Sequence, residues 1–261
     1  MKVINKLTSI FSIVLIVIFV SYVFIYKDKQ ELIKESENMS ESTENYENKI
    51  VDIYDSVASK VIPYIVNAKV NIDNKEYIGE IIEDKGNGKT YHIEIDNSDN
   101  WYEKYYVTVL YNTEEKVDKL TDEEIEIYVN LSSLNPTSEY FIWVDLYRIE
   151  TYVLKRNIEY YKVIKRLDCA TGKDITPTKR GFYQIEAKGT HFYSRDNTYI
   201  CYNYLQYSGS YLLHSFPYSL NKKVLDDSLG QRVSNGCVRF SFEDSKYLFD
   251  NIEIGSQIWV N

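Results

Sequence analysis

The chain has 261 residues, of which 44% are hydrophobic and 26% are charged, and its formal net charge is −9. The acidity lies in residues 1–140, which carry 14 Lys and Arg against 26 Asp and Glu, whereas residues 141–261 carry 16 against 13. Because neither part has a basic stripe or a stacking motif, the sequence argues against nucleic acid as a partner. The mildly basic C-terminal part suits a polyanionic or carboxylate-bearing substrate.

A membrane segment is predicted at the N-terminus. Residues 7–26 form a run of twenty residues without a charge, which is long enough to cross the hydrocarbon core of a bilayer. The residues that follow offer no small-residue cleavage site, so we expect an uncleaved signal anchor. This predicts a cytoplasmic N-terminus at residues 1–6, a single-pass transmembrane helix at residues 7–26, and a body outside the cell membrane.

An acidic linker and helical stalk are predicted for residues 27–60. The stretch from Lys27 to Asn48 is rich in Glu, Ser, Asn and Lys and has few large apolar residues, which is typical of a solvated linker or a frayed helix. From Ile50 to Val61 the apolar residues have helical spacing, and Pro63 ends the pattern.

A small β-rich accessory domain is predicted for residues 61–134, because apolar and polar residues alternate there in short runs between turn residues. Strands are expected on both sides of a turn at residues 73–75, and at residues 91–95, 105–111 and 125–131. His92 lies on one of these strands without an acidic or cysteine partner at metal-ligand spacing. This indicates a structural or solvent-facing histidine rather than a metal ligand.

The C-terminal part, residues 141–261, is predicted to be a β domain with one short helix, long enough for a core of its own. It begins after a turn at Asn135 and Pro136. Strands are expected at residues 141–146, 150–154, 158–167, 181–185, 199–207, 210–214 and 258–260. The helix is expected at residues 243–250, where Ser241 is placed to cap its N-terminus.

The sequence Val-Ser-Asn-Gly-Cys-Val-Arg at residues 233–239 is the most informative motif, and His214 precedes it at the end of a strand-like run. Gly236 leaves room for backbone N–H groups to approach a substrate carbonyl. A histidine beside Cys237 would take the proton from its thiol, because the thiolate is the nucleophile. The alternative is a buried, inert cysteine with a structural histidine. His191 has no obvious partner and is interpreted as structural.

The other two cysteines, Cys169 and Cys201, allow two interpretations. They pair in one disulfide and leave Cys237 as a free thiol, or they are apolar residues that fill space in strands. The second interpretation is preferred.

Several blocks, in order from residue 141 onward, resemble the L,D-transpeptidase catalytic domain of the YkuD type. They are Val144-Asp-Leu with Thr151-Tyr-Val-Leu, Cys169-Ala-Thr-Gly, Thr176-Pro-Thr with Gly181-Phe-Tyr, Leu213-His-Ser, Leu229-Gly, Ser234-Asn-Gly-Cys-Val-Arg, and Gly255-Ser-Gln-Ile-Trp-Val. The family usually has His where this chain has Asn235. The resemblance implies a mostly β fold with a sandwich-like or barrel-like catalytic domain.

The resemblance also implies the site residues. Cys237 would be the nucleophile and His214 the general base, with the other ring nitrogen of His214 oriented by the backbone carbonyl of Ser215. The N–H groups of Gly236 and Cys237 would stabilise the oxyanion. Arg239 would bind a substrate carboxylate through two hydrogen bonds. Ser234 and Asn235 complete the predicted substrate-binding set, with Ser234 either holding the turn or touching the substrate.

The function that this resemblance implies is peptidoglycan cross-linking. The enzyme would form an acyl-enzyme on a stem tetrapeptide, release D-alanine, and pass the acyl group to an acceptor amine to make a 3→3 cross-link. No metal and no other cofactor is expected, and carbapenems are expected to acylate the same thiol. The alternatives are an L,D-carboxypeptidase that gives the acyl group to water, and an inactive membrane-tethered protein that binds the wall.

Overall fold

The computed structural model describes residues 43–85, 88–113 and 117–261. The predicted cytoplasmic N-terminus at residues 1–6, the predicted transmembrane segment at residues 7–26, and residues 27–42 of the predicted linker and stalk lie outside these ranges. Among the helices of the described residues, none is both long enough and apolar enough to cross a membrane.

The chain divides into two compact units. Of the described residues, the first contains those up to 61 together with 120–135 and 156–162, and the second contains those from 62 to 119 together with 136–155 and 163–261. The five-part domain division expected from the sequence stays a prediction, because compactness alone does not show which segments fold independently.

The first unit is built on two helices, α1 (Thr43–Ala58) and α2 (Asp122–Leu131). The Tyr54 ring of α1 stacks on the Tyr128 ring of α2 with centroids 6.0 Å apart, and Lys60 pairs with Glu124. Helix α1 begins earlier than the apolar spacing at residues 50–61 indicates, and it ends at Ala58 rather than at Val61.

The strand predicted at residues 125–131 is wrong, because this segment belongs to helix α2. Thr121 accepts a hydrogen bond from the Glu124 N–H, and the Glu124 side chain accepts one from the Thr121 N–H. This capping box satisfies two backbone donors, and Asp122 and Glu123 add negative charge at the positive end of the helix. The capping residues therefore outweigh the β-branched, alternating pattern that follows them.

The second unit contains a small five-stranded antiparallel sheet. Its strands are β1 (Asn67–Ile72), β2 (Lys75–Lys85), β3 (Thr90–Ile95), β4 (Ser98–Glu103) and β5 (Val107–Leu110), in the order β4-β3-β2-β1-β5. The predicted hairpin at residues 73–75 is confirmed, because Asp73 and Asn74 both have positive φ angles, as two-residue hairpin turns require. Strand β4 was not predicted, since its sequence is mostly polar.

The core of this small sheet includes a contact with the loop that follows Gly172. Its inner face buries Val66, Ala68, Val70, Ile81, Tyr91 and Ile93, and Ile175 from that loop packs against them. The Tyr91 hydroxyl donates to the Ile175 carbonyl oxygen, 3.1 Å away. Lys179 and Arg180 pair with Glu83 and Glu80 of β2. The small sheet therefore packs directly against the C-terminal segment.

The C-terminal segment forms two further five-stranded sheets and one two-stranded sheet. The first sheet has the order β10-β17-β6-β7-β8, the second has the order β11-β12-β13-β16 with β14 beside β12, and β15 pairs with β9. The strands are β6 (Tyr140–Asp145), β7 (Glu150–Asn157), β8 (Tyr160–Asp168), β9 (Thr171–Gly172), β10 (Gly181–Gln184), β11 (Ala187–Tyr193), β12 (Tyr199–Ser208), β13 (Tyr211–Ser215), β14 (Tyr218–Ser219), β15 (Arg232–Ser234), β16 (Val238–Phe240) and β17 (Gln257–Val260).

One apolar core lies between these two sheets. Ile142, Val144 and Ile258 from the first sheet share it with Leu205, Leu213, Val238 and Phe240 from the second. The predicted mostly β, sandwich-like architecture is in agreement with this arrangement. The short helix is confirmed as α3 (Phe242–Asn251), with Ser241 accepting a hydrogen bond from the Asp244 N–H. Strand β11, which carries His191, was not predicted.

Candidate active site

The register of β13 and β16 places His214 and Cys237 on one face of the second sheet. The two strands are parallel, with His214 opposite Arg239 and Leu213 opposite Val238. Side chains alternate along a strand, so Cys237, which directly precedes β16, points to the same face as Arg239 and therefore as His214. Val238 and Phe240 point to the other face and are buried in the core. The apolar residues that flank the motif thus fix the direction of the catalytic side chains.

His214 is held as a neutral base. It is 4% exposed, and its Nδ1 lies 2.6 Å from the Ser215 carbonyl oxygen. A carbonyl can only accept, so Nδ1 carries the ring proton and Nε2 keeps its lone pair. Burial lowers the pKa of His214 to about 4; the Ser215 carbonyl raises it and the Arg239 cation lowers it further. The Phe192 ring meets the imidazole edge-on at 5.1 Å and helps to fix its plane.

The Cys237 thiol is half-buried and is protonated at rest. Burial raises its pKa to about 11, while the Leu212 N–H and the Arg239 guanidinium lower it and the Asp84 carboxylate raises it. The thiol donates to the Ser210 carbonyl oxygen, with the sulfur 3.5 Å from that oxygen. A protonated thiol and a neutral imidazole on the same face of the sheet fit general-base activation, in which the thiol loses its proton during attack, rather than a stored thiolate.

This protonation state predicts the alkylation rate of Cys237. Because only the thiolate reacts, the rate with iodoacetamide should rise about tenfold for each pH unit between pH 6 and pH 10, without a plateau. Peptide mapping by mass spectrometry at each pH measures the rate at Cys237 separately from Cys169 and Cys201, which are buried. A plateau reached near neutral pH would contradict the raised pKa.

The turn before the nucleophile is closed by Ser234. Its hydroxyl donates to the Cys237 carbonyl oxygen at 2.5 Å and accepts from the Gly236 N–H at 3.1 Å. Since Ser234 is 1% exposed and both bonds stay inside the turn, the structure favours the alternative in which Ser234 holds the turn over a substrate contact. The Gly236 N–H, predicted as an oxyanion donor, is engaged by Ser234. The neighbouring Asn235 is exposed at the surface.

Gly236 itself is required by the backbone. Its φ angle is +106°, and a Cβ atom at this position would lie 2.8 Å from a carbon of the Tyr211 ring. Both facts exclude a side chain there.

Arg239, predicted to bind a substrate carboxylate, is paired within the protein. Its Nη1 lies 2.8 Å from Asp226 Oδ2. Asp226 belongs to the loop between β14 and β15. Contact between Arg239 and a substrate stays a prediction. In the structure, the guanidinium is already paired with the Asp226 carboxylate.

The remaining cysteines and histidines do not contact Cys237 or His214 through any hydrogen bond of the described residues. Cys169 and Cys201 are buried free thiols, which confirms the preferred interpretation of space-filling residues, and burial raises the pKa of each to about 12. His191 is exposed on β11 and contacts Thr190. His92 stacks on Trp101 and lies 3.2 Å from Asp99. Within the described ranges, no three His, Cys, Asp or Glu side chains are arranged to hold a metal ion.

Three contacts of the site were missed by sequence reasoning. They are the Tyr211 ring over Gly236, the Ser210 carbonyl that accepts from the thiol, and Asp226 beside Arg239. No pattern in the sequence indicates the pairing of Asp226 with Arg239. The two others follow from the pairing of β13 with β16, which brings residues more than twenty positions apart into contact.

Comparison with known proteins gives the class of the C-terminal segment. Residues 139–260 match the family model of YkuD, the L,D-transpeptidase catalytic domain. The match confirms the resemblance drawn from the sequence motifs, and this segment is an L,D-transpeptidase catalytic domain of the YkuD family.

Individual relatives are similar over about half of this chain. YciB of Bacillus subtilis (strain 168), named as a candidate L,D-transpeptidase, is 24% identical over 155 residues, which cover 54% of this chain and 80% of that protein. A Clostridium acetobutylicum ATCC 824 crystal structure, described as a fused Zn-dependent amidase, peptidase and peptidoglycan-binding-domain protein, is 31% identical with a TM-score of 0.46. That match covers 54% of this chain and 59% of the other. L,D-transpeptidase LdtMt1, solved with imipenem, is 20% identical with a TM-score of 0.40, covering 47% and 59%.

Proposed function

We propose that this protein forms 3→3 cross-links in peptidoglycan through an acyl-enzyme on Cys237. The observation that carries the proposal is the shared face of Cys237 and His214, together with the Nδ1 contact to Ser215 that leaves Nε2 as the base. Membership of the C-terminal segment in the YkuD family supports the choice of stem peptides as substrates.

In the acylation step, Cys237 Sγ attacks the carbonyl carbon of the third stem residue. The thiol turns from the Ser210 carbonyl toward His214, whose Nε2 takes the proton as the S–C bond forms. The oxyanion accepts a hydrogen bond from the Cys237 N–H, since the Gly236 N–H is engaged by Ser234. The C–N bond to the terminal D-alanine then breaks, and Nε2 returns its proton to the leaving amine.

In the second step, an acceptor amine attacks the thioester carbonyl. Nε2 takes a proton from the amine, the C–S bond breaks, and the thiolate recovers that proton. The products are a new amide and the free enzyme. In the L,D-carboxypeptidase alternative, water replaces the amine at this step, and the acylation step is the same.

A product assay tests this proposal. The full-length protein is incubated with defined tetrapeptide muropeptides, and the products are identified by mass spectrometry. The proposal expects a dimer joined through the third residues together with free D-alanine. Tripeptide without dimer would show the carboxypeptidase reaction, and unchanged tetrapeptide would contradict acylation at Cys237.

The role of Arg239 as a substrate contact is tested against its pairing with Asp226. We expect Arg239→Lys to lower the turnover of stem peptides severalfold, because an ammonium cannot hold a carboxylate through two parallel hydrogen bonds. Asp226→Asn is the matched control, since it removes the ion pair and keeps the guanidinium. Turnover and melting temperature are measured for both proteins. If both variants lose melting temperature equally and keep turnover, Arg239 is a structural ion-pair partner.

The proposal places the reaction outside the cell membrane, with residues 7–26 as the anchor. The length and lack of charge of this segment support the placement. Added protease should digest the C-terminal segment in cells stripped of their wall, and the protein should sediment with membranes unless residues 1–26 are deleted.

A further inference from the structure

The small sheet contacts the nucleophile turn through one tyrosine. Tyr211 is buried at the start of β13. Its hydroxyl accepts from the Asp84 N–H at 3.2 Å and lies 3.4 Å from the Asp84 carbonyl oxygen, to which it donates. Asp84 belongs to β2 of the small sheet. The Tyr211 ring lies against Gly236, close enough to exclude a Cβ atom there. A continuous contact therefore runs from β2 to the residue before Cys237.

Asp84 is held firmly in place. Its carboxylate is buried and accepts from the Gly88 N–H at 2.9 Å. Strand β2, which carries it, is also tied to the C-terminal segment by Lys179 on Glu83, 2.9 Å apart, and by Arg180 on Glu80. Tyr91 of β3 adds its hydrogen bond to the Ile175 carbonyl. These contacts anchor the backbone of Asp84, and the Tyr211 hydroxyl is hydrogen-bonded to that anchored backbone.

We infer that Asp84 and Tyr211 are positioning residues for Cys237, through which the small sheet fixes the orientation of the nucleophile. The two hydrogen bonds to Asp84 hold the Tyr211 ring, and the ring holds the left-handed backbone at Gly236. The small sheet lies outside residues 139–260, which match the family model. The inference rests on the proposed acyl transfer, because positioning matters only for that reaction.

The charged groups around Cys237 affect the pKa of its thiol, which can be measured. The thiol is faced by Arg239, which lowers its pKa, by the Leu212 N–H, which also lowers it, and by Asp84, which raises it. Tyr207 and Tyr211 also lie near the thiol, and burial raises the pKa of each. Loss of the Asp84 charge should therefore lower the pKa of Cys237, which would show that the Asp84 carboxylate faces the thiol.

The test compares three variants of the full-length protein. Tyr211→Phe keeps the ring and removes the hydroxyl that binds Asp84. Tyr207→Phe is the matched control, a buried tyrosine whose hydroxyl has no hydrogen-bond partner within the described residues. Asp84→Asn keeps the backbone bonds to Tyr211 and removes the charge. For each variant kcat and KM are measured with tetrapeptide muropeptides, and the iodoacetamide rate at Cys237 is measured from pH 6 to pH 10.

We expect Tyr211→Phe to lower kcat about tenfold with little change in KM, because small displacements of a reacting atom are costly, while Tyr207→Phe keeps both. Asp84→Asn should raise the iodoacetamide rate at each pH. Equal kcat values for Tyr211→Phe and Tyr207→Phe would overturn the inference. If Tyr211→Phe does not fold, Glu80→Gln decides by the same kcat comparison, because it removes the pairing of β2 with Arg180 and leaves Tyr211 intact. Since alkylation needs no stem peptide, failure of the proposed function is seen separately, as absent turnover in the unmodified protein.

Discussion

The Cys237→Ala protein is expected to release no D-alanine and to form no cross-link. Cys237 is the half-buried thiol that shares a face with His214, and without it no thioester can form. The measurement is mass spectrometry of muropeptide products after incubation with the full-length variant. Loss of activity should be complete, because no other nucleophile follows a glycine turn with a base on the neighbouring strand in the described ranges.

Cys201→Ala is the matched control for this result. Cys201 is buried on the same sheet, and its raised pKa, about 12, keeps it unreactive. We expect this variant to keep most turnover, with a loss of stability of about 1 kcal/mol from the small space left behind. Retained turnover in Cys237→Ala, or equal losses in both variants, would contradict the assignment of the nucleophile.

Replacement of His214 by Ala should lower turnover about a hundredfold or more, as expected when a positioned base is lost. The residual rate should rise with pH, because thiolate then forms only by ionisation of a thiol whose pKa is about 11. The unmodified protein should lose activity only as the pH falls toward the His214 pKa of about 4, where Nε2 becomes protonated. Turnover measured from pH 4 to pH 10 on both proteins checks this.

The control for the base is His191→Ala. His191 lies on the exposed side of β11 and contacts Thr190, so its loss should change turnover by less than twofold. If His191→Ala proved the more damaging substitution, the base would have been placed on the wrong strand. A flat pH profile in His214→Ala would also contradict the role of His214.

The roles of Cys237 and His214 could be predicted because the motifs that carry them resemble the YkuD family, and local sequence explains part of their placement. The Gly236-Cys237 pair needs a turn that only glycine allows, and the apolar residues Val238 and Phe240 fix which side of β16 enters the core. The contact of His214 with the carbonyl of the next residue is local as well. Short-range constraints of this kind are visible in one sequence.

The contacts that the sequence did not reveal depend on distant pairing. Tyr211 meets Asp84 across more than a hundred residues, and no periodic pattern reports such a contact. Asp226 reaches Arg239 from a loop whose path the residue spacing does not define. The error at residues 125–131 has another cause, since alternation indicated a strand while the Thr121 capping box determined a helix. Cap residues therefore deserve more weight than alternation in short segments.

Acylation by a carbapenem tests the central claim, that Cys237 is an activated nucleophile, most directly. A strained lactam carbonyl is attacked by the thiol as the stem-peptide carbonyl would be, and opening of the ring leaves the whole drug attached through a thioester. Intact-mass spectrometry of the full-length protein should show an increase equal to one drug molecule, which peptide mapping assigns to Cys237 and which is absent from Cys237→Ala. An unmodified mass after long incubation, or the same increase in Cys237→Ala, would contradict the account.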